Sequence, residues 1–178
     1  MLIATDELAE PFKRSVVLLV RHTAEGALGL ILNRRTSAQL KEAWGQLSDV
    51  PCHREASIFL GGPCDGPLVA LHTHEFLLEI EVMPGVYFSA GKDKLETLAA
   101  QGADEASNIK FFAGYSGWAA GQLEHEIARG SWSVMPAQPQ HVFAHEDELW
   151  LRASRFVADA SWRGTLGIKH KPPDLRVN

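Results

Sequence analysis

Two apolar runs separated by a glycine-bearing turn constrain this chain more than any other feature. Ser15-Val-Val-Leu-Leu-Val20 is continuous, apolar and rich in β-branched residues, which reads as a buried strand. Ala24-Glu-Gly26 then turns the chain into Ala27-Leu-Gly-Leu-Ile-Leu32. Two strands joined by so short a turn make a hairpin.

Beyond it, strand signals outnumber helix signals. Thr36 and Gln39 have the spacing of a capping box, ahead of Leu40, Ala43, Trp44 and Leu47 at helical intervals. That predicts an amphipathic helix. Residues 56–60, 68–72, 76–82 and 86–90 are strand candidates, the first two separated by Gly61-Gly-Pro-Cys-Asp-Gly-Pro67. Asp93 with Glu96 resembles an N-cap and its partner, ahead of a short helix carrying Leu95, Leu98 and Ala99. Residues 109–113 read as a strand, 118–129 as a helix with Leu123 and Ile127 inward, 132–135 as a strand and 146–159 as a last helix. Adjacent strands interrupted by a few helices favour an α+β fold over regular βαβ alternation. A single domain over residues 1–164 is expected, followed by a basic, flexible tail over 165–178.

Composition narrows the function classes. The chain has 178 residues, 46% hydrophobic and 22% charged, with a net charge of −5. Disorder and coiled coil are excluded on that basis. The acid excess gives no general attraction to nucleic acid or anionic membrane. No apolar run approaches the roughly 20 residues needed to cross a bilayer, and no secretory leader is recognisable, so a cytoplasmic protein is expected. Cys52 and Cys64 then read as reduced thiols.

Several segments in order carry a resemblance. They are Leu2-Ile-Ala4, Pro11-Phe-Lys-Arg-Ser-Val-Val17, Glu25-Gly-Ala-Leu-Gly-Leu-Ile-Leu-Asn33, Gly61-Gly-Pro63, Leu71-His72 and Gly114-Tyr-Ser-Gly-Trp-Ala-Ala-Gly-Gln-Leu-Glu124, with the Trp132 strand after them. Together they resemble the YqgE/AlgH family of bacterial proteins. The resemblance implies a compact α+β domain with a large mixed β-sheet flanked by a few helices. It implies no established biochemistry, since members are described as uncharacterised or as candidate transcriptional regulators. The chain departs from the pattern at Arg35, where proline is usual, at Cys64, where valine is common, and at Ser116, where alanine is common. Lys169-His-Lys-Pro-Pro173 also replaces the usual ending.

Four constellations invite chemistry. Ser116 sits in a glycine-lined turn between a predicted strand and a predicted helix, the layout of a nucleophile elbow. Trp118 stands where the elbow needs glycine, so the turn reads first as a strand-to-helix connection. Its backbone donors at the helix start could hold an anion or small ligand. Gly61-Gly-Pro63 lacks the lysine of a phosphate loop. His72 with His74, and His141 with His145, have ligand spacings without a complete metal set, and Pro136 and Pro139 argue against a helix before His141. Lys13, Arg14, Arg21, Arg34 and Arg35 form the densest basic group, but no helix-turn-helix is present.

The resulting expectation is a non-catalytic regulatory or binding protein acting through a protein partner or a small ligand. Direct DNA binding is the first alternative, and a hydrolase-like enzyme around Ser116 the second. Candidate ligand-binding residues are Arg14, Asn33, Gly61, Gly62, Pro63, Gly114, Tyr115, Gly117 and Trp118. No catalytic residue, metal ligand or cofactor is assigned.

Overall fold

The predicted hairpin forms the middle of a five-stranded antiparallel sheet. A computed structural model describes residues 1–102 and 108–166. In this first sheet β1 (Leu2–Ala4), β2 (Val16–Thr23) and β3 (Gly26–Ile31) come from the start of the chain. Its two edges, β10 (Ser116–Ala119) and β11 (Trp132–Val134), come from much later, giving the order β10-β3-β2-β1-β11. Everything between β3 and β10 builds the second sheet. Its strands are β4 (Arg35–Gln39), β5 (Ser57–Leu60), β6 (Val69–His72), β7 (Ile80–Met83), β8 (Val86–Ser89) and β9 (Ile109–Ala113). They lie in the order β4-β5-β9-β6-β8-β7, with β5 and β9 the one parallel pair among the described strands.

The class is α+β, as expected, with the strands divided between two sheets rather than gathered into one. Alternation explains the layering. Val16, Leu18, Leu30 and Leu32 of the first sheet meet Phe59, Val69, Leu71, Phe88 and Phe112 of the second in one buried core. The opposite face of the second sheet is covered by α1 (Leu40–Trp44) and α2 (Lys92–Ala100), through Trp44, Leu95 and Leu98 packed on Ile58 and Phe111. The outer face of the first sheet is covered by α3 (Gln122–Ala128), with Leu123, Trp118 and Trp132 on Val17 and Ile31. α4 (Pro139–Val142) and α5 (Glu146–Leu166) close one side of the central core through Val142, Leu149 and Ala153.

Several local expectations are corrected. Thr36 and Gln39 belong to a strand: Thr36 Oγ1 donates to the Ile58 carbonyl at 2.6 Å, and no side chain caps α1. The helix is one short turn, and Leu47 lies beyond it, exposed. Pairing with β5 outweighs the local capping signal. Residues 76–82 divide into a 3-10 turn (Glu75–Leu77) and β7. Gly91 caps α2, and Asp93 lies inside its first turn. Residues 116–119 are strand, so helix α3 begins only at Gln122. His141 does lie on a helical turn, because Pro139 occupies its tolerated first position. The tail expected from residue 165 falls, from residue 167 onward, outside the described residues.

Candidate functional site

β5 and β9 run side by side into a crossing that joins the two sheets. Gly61 N donates to the Ala113 carbonyl at 2.8 Å, and the Gly61 carbonyl accepts from Ile31 N of the other sheet at 2.9 Å. Three residues on, Cys64 and Tyr115 exchange both backbone bonds at 3.0 Å. The backbones are in contact, so side chains are excluded. A Cβ on Gly62 would lie 2.3 Å from Ser116 Oγ and 2.4 Å from Ser116 N, at a φ of +156°. A Cβ on Gly114, at φ +70°, would lie 2.7 Å from the Cys64 carbonyl oxygen. Glycine is present because the chains cross, and because the left-handed backbone needs it.

This geometry corrects the elbow reading. Ser116 opens a strand, is fully buried, and donates to the Gly61 carbonyl at 3.1 Å. Its hydroxyl is a tie between the crossing segments. The helix start expected there is absent, since residues 116–119 form edge strand β10, which pairs with β3 from Ser116↔Gly29 to Ala119↔Gly26.

Beside the crossing lies a cleft of about 500 Å³. Its floor is a row across three strands, Arg21–Leu28–Gly117, which the register places on one face. Cys64 and Tyr115 form one wall; Thr23 and Glu25, at the hairpin's end, form the other. Tyr115 is steadied by Gly66, whose Cβ would lie 3.0 Å from the ring. Of the expected residues, Tyr115, Gly117 and Trp118 line the cleft, while Gly61, Gly62 and Gly114 build the crossing behind it. Pro63 is exposed between Gly62 and Cys64. Both cysteines are free.

Arg14 and Asn33 are at the far end of the hairpin from the cleft. Asn33 Oδ1 accepts from Val16 N at 2.8 Å and its Nδ2 donates to the Arg14 carbonyl at 2.9 Å, so its amide is committed to the backbone. Arg14 has φ +53° and lays its guanidinium over the Trp150 ring at 5.4 Å. Two more of the basic group are paired: Arg34 with Glu10 at 3.2 Å, Arg35 with Glu146 at 3.2 Å.

Of the histidines with ligand spacing, His72 is taken up by the core. His72 is fully buried, its Nδ1 accepting from His74 N at 3.2 Å and its Nε2 lying 3.0 Å from Ser89 Oγ. Burial, with the neighbouring His74, brings its pKa down to about 4. His141 accepts from Gln138 N at 3.1 Å, and His145 faces Asp147 at 3.4 Å.

Two ionisable groups, Glu126 half-buried and Lys110 buried, have bonding roles that the sequence reading did not assign. Glu126 accepts from both indoles, Trp118 at 2.9 Å and Trp132 at 2.8 Å, and from Gln122 at 2.9 Å. Burial pushes its pKa up, but these bonds outweigh it and hold the carboxyl below its ordinary value. Lys110 points into the central core. Its Nζ lies over the Phe59 ring at 4.7 Å and donates to the carbonyls of Ala144 at 3.0 Å and Leu32 at 3.4 Å. Burial brings its pKa down to about 8, against the pull of Glu146. The alternation Lys110, Phe112 within β9 was the available signal.

The AlgH-like family model matches residues 1–160. A UPF0301 protein from Chlorobaculum tepidum is 36% identical over 160 residues, covering 87% of this chain and 83% of the relative. Another from Methylococcus capsulatus is 37% identical over 153 residues, covering 82% of each. The solution structure of the AlgH protein from Pseudomonas aeruginosa superposes with a TM-score of 0.73 at 30% identity, covering 96% of this chain and 92% of that one. A Corynebacterium diphtheriae protein shares the fold with a TM-score of 0.67 at 24% identity, over 87% and 84% of the two chains.

Proposed function

We propose that this chain, which belongs to the AlgH-like family, a family without an established specific function, works by binding and not by catalysis. The ligand is a small molecule held in the cleft beside the glycine crossing, and its occupancy is passed on to a protein partner. The observation that carries this reading is the cleft itself. Its volume of about 500 Å³ falls in the range of small-molecule sites, roughly 300–1,000 Å³. Arg21 offers a cation, Leu28 and Tyr115 an apolar surface, and Thr23 a hydroxyl. Glu25 adds an anion to the Arg21 cation, so a zwitterionic ligand with a flat or apolar body matches that set.

The rival readings have less physical support. A hydrolase needs a reachable nucleophile, and Ser116 is sealed in the crossing. Direct DNA binding needs free cations on one face, whereas Arg34 and Arg35 are paired and α3 carries Glu124 and Glu126.

A thermal-shift screen of zwitterionic metabolites tests the proposal. Ligand present at a hundredfold excess over its Kd stabilises the native state by about 2.7 kcal/mol. A hit should raise the Tm of the wild type, but not that of Gly117→Leu, whose new side chain fills the cleft. Arg21→Ala should weaken the response. A panel without hits, or hits that Gly117→Leu still binds equally, would sink it.

A further inference from the structure

β7 ends its sheet, and no described strand pairs with its outer side. An open strand edge is a template for another chain, which folded proteins commonly guard with charge. Here apolar surface accompanies the edge. Phe76, just before β7, is 73% exposed, Leu78 is 40% exposed and Ile80 is 36% exposed. Ile80 and Glu81 are consecutive in β7 and so stand on opposite faces, with Phe76 and Leu78 just before the strand.

Carboxylates outnumber the cation Lys94 beside this strip. Glu75 and Glu81 are exposed, and among the described residues no cation pairs with either. Glu81 lies opposite Tyr87 in the ladder. Burial first, then Glu75 and Glu81, hold the Tyr87 hydroxyl above its ordinary pKa, so the two carboxylates act on one spot. Nearby Glu79 is satisfied: it accepts from Ala90 N at 2.9 Å and Gly91 N at 2.8 Å, and lies 3.6 Å from Lys94. Lys94 also donates to the Leu78 carbonyl at 2.9 Å, so that cation is engaged.

We infer that the β7 edge docks an extended segment of a partner protein, alternately basic and apolar, as one further strand. Main-chain bonds to the open edge supply affinity, and alternate side chains supply selection. The basic side chains lie on the face of Glu81, and the apolar ones on the face of Ile80. A second copy of the chain is the poorer occupant, because antiparallel pairing of two β7 edges sets glutamates of like charge near one another.

The test uses a short fluorescent peptide of alternating lysine and valine. Controls are a peptide with the same residues in two blocks, and one with glutamate replacing lysine. By anisotropy, the alternating basic peptide should bind at least about tenfold tighter than either control, a free-energy difference of about 1.4 kcal/mol. Amide shifts should concentrate at Leu78, Ile80 and Glu81. Phe76→Ser and Glu81→Lys should each weaken binding with an unchanged Tm, since both side chains are exposed. Equal binding of the blocked peptide, shifts elsewhere, or indifference to Glu81→Lys would overturn the inference. So would sedimentation showing a self-dimer that Glu81→Lys alters, which would assign the edge to a second copy.

Discussion

The two ends of β9 close the space between the sheets by opposite means. At Gly114 the chains approach until no side chain fits, and backbone bonds do the joining. At Lys110 a long side chain carries a charge into the core and reaches carbonyls on two other segments. The first solution tolerates no added volume. The second is costly in charge yet tolerant in shape, so the same strand is brittle at one end and adjustable at the other.

The largest effect should come from Gly62→Ala. The methyl meets Ser116 backbone in a conformation that disfavours any side chain, which predicts a loss of about 3 kcal/mol. Urea unfolding, or failure to recover soluble protein, reads it out. A near-neutral result would mean that the crossing can relax and that the contrast between the ends is smaller than drawn.

Lys110→Met should act in the other direction, raising stability at pH 7 by about 1 kcal/mol, because a well-packed apolar side chain replaces a desolvated charge. The pH dependence sharpens this. With a folded pKa of about 8 against an ordinary 10.5, the burial penalty is fully present below pH 8, where both states are protonated. It fades as pH rises from 8 to 10.5, because the folded state releases the proton first, so wild-type stability rises across that window by at most about 3 kcal/mol. Denaturation curves of the variant should lack that rise. If they keep it, another group is responsible.

Ser116→Ala should have the smallest effect. It removes one buried hydrogen bond, to the Gly61 carbonyl, at a cost of about 1 kcal/mol, and leaves the fold intact. Any loss of ligand response in this variant would reopen the hydroxyl as a functional group.

Local signals made the first hairpin legible, since its runs are continuous and its turn is adjacent. They failed where distant pairing decides. Trp118, Leu123 and Ile127 have helical spacing, but β10 is held as a strand by β3, far earlier in the chain. Thr36 and Gln39 imitate a cap and instead join β5. At the site, Gly61, Gly62 and Gly114 stood out by composition. Their reason, a crossing of two segments remote in sequence, exists only once both sheets have formed. Lys110 was passed over because one lysine in an apolar run resembles an edge residue until its strand proves central.

The nesting of one sheet inside the other also governs assembly on the ribosome. When Ala113 has been made, every strand of the second sheet exists, while β1–β3 still lack both neighbours. Long-range pairings of this kind slow folding and leave sticky intermediates. Until Ser116–Ala119 and Trp132–Val134 are added, the outer edges of β3 and β1 stay unpaired, the kind of open edge through which partly folded chains associate.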